Sequence, residues 1–263
     1  MNDRLYFYVN KKKTMEKLVA LLALSLLFTA CKDKEENETE VTAPAKKVQI
    51  DLQPQFDGEN LVLNQTYTTD QGFSVQFTKL AFIATNLNND GNELIASAVY
   101  NYEEDGTKWI EAEADYAQFS KLEMFVGVPS TINHQDPAAV PNTDPLNILN
   151  VGAMHWGWNP GYIFVQVEGK ADTTAAQTGV FDQNFVYHVG KDLNLRLATV
   201  ENINYENTTE NTYNALFKIK MEEFFDNGAN SIDVRTENSS HSLDSQAQLS
   251  AKAISNFANA IVQ

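Results

Sequence analysis

One cysteine, Cys31, occurs in 263 residues. No intrachain disulfide can form. The chain after residue 31 has no thiolate for a blue-copper centre, a zinc–cysteine site or an iron–sulfur cluster, and no cysteine nucleophile. Basic side chains are also scarce: 19 Lys and Arg stand against 35 Asp and Glu, a net charge of −16. Such a surface repels phosphate backbones and anionic lipid, which argues against nucleic-acid binding. The sequence lacks a P-loop, a Gly-x-Ser-x-Gly elbow, a Gly-rich dinucleotide fingerprint and a His-Glu-x-x-His zinc motif. It has no repeat at a solenoid period.

What is present begins with a leader. Lys11, Lys12, Lys13 and Lys17 form a basic flank, and Leu18 to Ala30 is an apolar run of 13 residues. A membrane-spanning helix needs roughly 20 apolar residues, so the run reads as a signal peptide. It ends in Leu27-Phe-Thr-Ala-Cys31, which resembles a bacterial lipobox with Phe28 where leucine is commoner. The expectation is a lipoprotein signal peptide over residues 1–30, with Met15 as an alternative start, and an acylated Cys31. A disordered acidic tether follows over 31–47, poor in large apolar side chains. Its Lys32-Asp-Lys-Glu-Glu36 resembles the acidic export tag of some surface lipoproteins, and a solvated linker explains it equally well. Loss of 1–30 removes five basic and two acidic residues, leaving 14 against 33 and a net charge of −19. The expected location is the outer membrane, lipid-anchored, on its periplasmic or cell-surface face, with membrane contact through the lipid alone.

From Val48 the pattern is β. Val48-Gln-Ile-Asp-Leu-Gln53 alternates apolar and polar residues, as a half-buried strand does. Further strands are expected at Phe73–Phe82, Leu94–Tyr102, Phe119–Gly127, Tyr162–Val167, Asn184–Val189, Leu193–Val200 and Tyr213–Ile219. Asn88-Asn-Asp-Gly91 is a hairpin signal. The run Asn86–Gly91 also resembles the start of a calcium loop but lacks the closing glutamate. Leu249, Ile254, Phe257, Ala258 and Ile261 suit one face of a C-terminal helix capped by Ser242 or Ser245. The expected fold is mostly β: a single domain over 48–263, an antiparallel sandwich or barrel, with a long functional loop and a C-terminal helix.

That loop runs from Pro129 to Pro160 and is rich in Asn, Asp and Pro. A connection this long inside a compact domain is usually functional. It closes on Gly152-Ala-Met-His-Trp-Gly-Trp-Asn-Pro-Gly-Tyr162, which holds two of three tryptophans and one of four histidines. His134, His155 and His188 are candidate metal ligands, since imidazole suits copper, zinc, iron or nickel, and Met154 adds a thioether suited to Cu(I). Nothing in their spacing is a metal signature, and ordinary loop, core and strand-end roles explain each histidine singly. Trp156 and Trp158 share a sheet face if the segment is extended, where packing alone accounts for them. Asp136, Asp144 and Glu168 are scattered carboxylates; a glycosidase pair among them would need geometry that sequence does not give.

The ordered series Gly127-Val-Pro, Asn133-His-Gln-Asp-Pro137, Pro145-Leu, Met154-His-Trp-Gly-Trp158, Gly161-Tyr-Ile-Phe, Glu168-Gly and Phe185-Val-Tyr-His-Val-Gly190 resembles the MbnP-like copper-binding domain of methanobactin gene cassettes and its lipoprotein relatives. The likeness spans about 48–262 and is most specific over 119–190. It implies a β-rich domain that binds copper, as Cu(I) or Cu(II), through histidines and a tryptophan oxidised to kynurenine. It implies a di-haem partner of the cytochrome c peroxidase type (MbnH-type) that performs the oxidation. The matching positions are His134 and His188, with His155, Trp156 and Trp158 as further candidates. His155 departs from the aromatic residue expected beside Trp156, and the cysteines of one branch are absent.

The resulting expectation is a copper-binding envelope lipoprotein, in acquisition or handling, without catalysis of its own. The alternative is a surface-displayed carbohydrate- or protein-binding β-sandwich, with exposed tryptophans stacking on sugars. An enzyme is the third reading. A copper-oxygenase histidine brace is excluded if Cys31 is the mature N-terminus, and no hydrolase nucleophile arrangement is recognisable.

Overall fold

Alternation in the sequence builds the first strand directly. Lys47–Phe56 buries every second residue, with Val48, Ile50, Leu52 and Phe56 facing inward. The computed structural model describes residues 45–157, 161–174 and 176–263. Cys31, the expected signal peptide and nearly all of the expected tether fall outside the described residues, as does Trp158.

The strands are β1 (Lys47–Phe56), β2 (Glu59–Asn60), β3 (Thr66–Thr68), β4 (Ser74–Asn89), β5 (Asn92–Asn101), β6 (Lys108–Glu113) and β7 (Leu122–Val126). They continue with β8 (Ile163–Asp172), β9 (Gln183–Gly190), β10 (Arg196–Val200), β11 (Glu206–Thr209), β12 (Thr212–Lys220), β13 (Ser239–Ser240) and β14 (Ile261–Val262). The helices are α1 (Tyr102–Asp105), α2 (Ser130–Asn133), α3 (Glu222–Phe225) and α4 (Ala247–Asn259). One sheet runs β11-β12-β1-β2, with β14 on β12 and β6 on β1. The other runs β10-β7-β4-β8-β9-β13, with β3 and β5 on β4.

The two sheets face each other across one core. Phe56 of β1 lies 6.1 Å from Phe77 of β4, and Trp109 of β6 lies 5.4 Å from Phe82 of β4, between ring centroids. Helix α4 packs on the same core through Phe257, 5.2 Å from Phe82. The fold is thus the mostly β single domain that the strand pattern predicts, with its C-terminal helix. Pairing departs from purely antiparallel at β1–β12 and β13–β9, which are parallel.

Three local expectations need correction. Helix α4 has no side-chain cap; Ser242 Oγ instead accepts the Gly190 N–H at 3.0 Å, and a 3-10 turn (Asp244–Gln246) leads into the helix. Ile261 belongs to β14, not to the helix face. Leu193 precedes β10 in a 3-10 turn (Asp192–Asn194) and is exposed. Asn88–Gly91 is the hairpin expected, with Asp90 and Gly91 both at positive φ and the Asn88 side chain accepting the Gly91 N–H.

Strand β4 positions the site. Ala81 and Phe82 pair with both β5 and β8, so those strands lie on opposite edges of β4. Ala84 and Thr85 pair with both β5 and β7, so β7 follows β8 along one edge. That edge is therefore split where β7 ends and β8 begins. Thr85 Oγ1 donates to Gly127 O at 2.8 Å just past the end of β7. The long connection leaves and returns at this split.

Candidate functional site

The connection is held by its own polar side chains. Asp144 Oδ1 accepts from the Leu146 N–H and from Ser97 Oγ on β5. Asn150 Nδ2 donates to Asn142 O and Asp144 O. Tyr162 Oη donates to Leu146 O at 2.7 Å. Leu146, Val151 and Met154 are buried beneath these turns. An Asn- and Asp-rich stretch can satisfy its backbone this way without a sheet partner. Met154 is therefore a packing residue at 3 % exposure and does not line the cleft described next.

Asn133, at the end of α2, is the keystone. Its Oδ1 accepts the Tyr162 N–H at 2.9 Å and its Nδ2 donates to Asp192 Oδ1 at 2.8 Å. It thus joins the exit of β7, the entry of β8 and the turn after β9. Gly161, at φ +93°, has no room for a Cβ, which would fall on the Asn133 carbonyl and side chain. Asn133, His134, Asp136, Pro137, His155 and Gly161 line an open cleft of about 230 Å³.

His134 Nε2 lies 2.8 Å from Asp192 Oδ2. A carboxylate only accepts, so Nε2 carries the proton and Nδ1 presents the lone pair. Burial pushes the Asp192 carboxyl up, but the hydrogen bonds from His134 and Asn133 outweigh it and hold the group below the usual carboxylate range.

His155 is arranged in the opposite sense. Its Nδ1 accepts the Gly157 N–H at 2.8 Å. Its ring stands edge-on to Tyr162, with centroids 4.7 Å apart and planes at 87°. A neutral imidazole has one lone pair, and here it is used, so Nε2 offers an N–H and not a ligand atom. Burial holds the His155 pKa below its ordinary value, opposed in part by Asp136.

His188 is not in the cleft. On β9, it lies across from Gln166 of β8. Its Nε2 is 2.8 Å from Glu168 Oε1 and 3.0 Å from Gln166 Nε2, and Glu168 Oε1 also accepts from Gln166 Nε2 at 2.8 Å. His241, which sequence reasoning missed, stands 5.1 Å from the His188 ring. Burial and the neighbouring His188 push the His241 pKa down, against Glu168. Gln166 Oε1 is buried and has no hydrogen-bond partner among the described residues. Turning the amide over would set Oε1 against Glu168 Oε1, two acceptors in contact, and leave Nε2 unpaired.

The three predicted histidines thus fall in two places: His134 and His155 in one cleft, His188 with Glu168 and His241 in another cluster. Among the described residues no group of three or more His, Cys, Asp or Glu side chains is gathered so as to hold a metal ion. His134 has a carboxylate on Nε2 and Nδ1 turned away from it, His188 Nε2 sits between Glu168 and Gln166, and the Nδ1 of His155 accepts the Gly157 N–H.

Trp156 follows His155 in the chain. Its backbone N–H donates to Gly161 O at 3.0 Å, and its ring lies over Gly190, where a Cβ would come 2.6 Å from Cζ3. Gly190 and His188 point to the same face of β9. Gly157 has a positive φ of +76°. Trp109 and Trp156, the two described tryptophans, are both partly buried against the core.

Comparison with known proteins adds the family. No curated protein matches the chain. Among solved structures, MbnP from Methylosinus trichosporium is similar at 12 % identity and a TM-score of 0.44, covering 73 % of this chain and 80 % of that one. The model of the MbnP family matches residues 45–244, which include β1 to β13, the cleft and both histidine groups. The chain belongs to the MbnP family.

Proposed function

We propose that this protein binds copper at the cell envelope, in acquisition or handling, without catalysis of its own. One observation carries the reading: His134 Nε2 is held by the Asp192 carboxylate, which leaves Nδ1 as the donor atom, and His188 Nε2 is held between Glu168 and Gln166. Metal-binding histidines are oriented in this way, the carboxylate fixing the tautomer and raising ligand basicity. Imidazole nitrogen suits copper in either common oxidation state. The described residues supply two oriented imidazoles, not an assembled centre, so a further donor is required.

Trp156 is the proposed source of that donor. An indole nitrogen is a poor ligand because its lone pair belongs to the ring π-system. Kynurenine has an aniline nitrogen and a ketone oxygen in its place. The indole C2–C3 bond would be cleaved with two oxygens taken from water and four electrons passed to the proposed oxidant, a di-haem partner of the MbnH type; hydrolysis of the resulting formyl group releases its carbon as formate, so the net change is one carbon lost and one oxygen gained. Export as a lipoprotein anchored through Cys31 would place the two proteins in one compartment.

Intact mass and metal analysis test this on protein expressed natively beside its di-haem partner. The expected result is bound copper, lost in His134→Ala and in His188→Ala, with a mass gain of one oxygen less one carbon that is lost in Trp156→Phe. Natively made protein with neither copper nor that mass change would sink the reading. Glycan binding that survives removal of the histidines would favour the alternative of a carbohydrate-binding module.

A further inference from the structure

The geometry points to His155 as a positioning residue: its imidazole acts as the acceptor that closes the turn around Trp156, and it does not ligate metal. Nδ1 accepts the N–H two residues on, at Gly157. This is the arrangement an Asn or Asp side chain makes in an Asx turn. A backbone N–H is a permanent donor, so that nitrogen must keep its lone pair turned inward.

The rest of the turn closes against the same residue. His155 and Tyr162 form an isolated antiparallel bridge, and the Trp156 backbone N–H donates to Gly161 O at 3.0 Å. Tyr162 cannot yield, because its N–H is held by Asn133 and its hydroxyl by Leu146 O. The imidazole edge rests on that fixed ring. Side chain and backbone of two adjacent residues therefore brace both ends of 156–161. The product of the bracing is the placement of the Trp156 ring on bare Gly190. This role rests on the copper reading above only for the use later made of the positioned indole.

Asn is the rescuing substitution, since its Oδ1 occupies the place of Nδ1 and accepts the same N–H. Phe keeps an aromatic ring edge toward Tyr162 but offers no acceptor. The experiment compares metal-free wild type, His155→Asn and His155→Phe of the whole chain by amide exchange at Gly157 and by the Trp156 indole resonance, assigned with Trp156→Phe. Slow exchange and an unchanged indole are expected in His155→Asn. In His155→Phe, exchange at Gly157 should rise about tenfold, as for loss of one hydrogen bond, and the indole should shift. If His155→Asn behaves like His155→Phe, or if neither differs from wild type, the role is overturned.

A Cu(I) titration of wild type supplies the second arm. The His155 imidazole nitrogens should keep their shifts while those of His134 and His188 move; movement of His155 Nε2 would make it a ligand and overturn the inference. Wild type that binds no copper would end the copper reading alone, because the metal-free comparison stands without it.

Discussion

Trp156 lies across Gly190, with its ring in the space that any side chain at 190 would fill. A Cβ there would come 2.6 Å from Trp156 Cζ3 and 2.5 Å from the Tyr162 carbonyl oxygen. The indole can move but the strand backbone cannot. Gly190→Ala should therefore cost about 1–3 kcal/mol, as overpacking does. Urea denaturation gives the loss, and a changed Trp156 indole resonance should accompany it. An unchanged midpoint would mean that the turn shifts freely.

Asp192 and Glu168 make a paired prediction. If they present His134 and His188 to copper, Asp192→Asn and Glu168→Gln should each weaken Cu(I) binding by about 10–100-fold, the usual effect of losing such a partner. Competition against a chelator of known affinity measures it. Equal affinity in both variants would disconnect these carboxylates from metal binding.

Tyr162→Phe removes a buried hydroxyl that donates to Leu146 O at 2.7 Å. The carbonyl would be left without that partner beneath the loop, at a cost of about 1–3 kcal/mol. Because the bond ties the long connection to β8, amide exchange over 146–154 should quicken more than exchange within β4. Uniform quickening would place the effect in the core instead.

Acid should weaken the fold in a defined window. Burial holds the pKa of His155 and of His241 below its ordinary value, so the unfolded chain takes up protons that the folded chain resists. Stability then rises with pH between the depressed folded values and the ordinary value of about 6.5, and falls as pH drops through that window. Denaturation midpoints measured from pH 7.5 to 5 should decline in wild type and decline less in His155→Asn. A flat profile in wild type would remove the basis for this effect.

The sheets were legible because period-two alternation states which face is buried, as in Val48–Gln53, and because Asn88–Gly91 marks a hairpin turn without tertiary help. Strand pairing was not, since nothing local tells Val48 that Tyr213 lies beside it in parallel. At the site, the histidines were visible as chemistry and Trp156 as composition. Their grouping was not. Asp192 and His241 lie 58 and 53 residues from the histidines that they meet. Asn133 is one more polar loop residue until Tyr162 and Asp192 are placed on either side of it.

The split along β4 gives the region an uneven tolerance to change. Tyr162 and Asp192 each lie within two residues of a strand end, and Asn133 bonds to both. The span from 138 to 143 is held from within the loop, with Asn147 Nδ2 donating to Val140 O and Asn150 Nδ2 to Asn142 O. Inserted residues there can lengthen the loop and alter what approaches the cleft, while the rim stays fixed by strand register. A relative of this chain can thus change what it admits without rebuilding the frame that holds it.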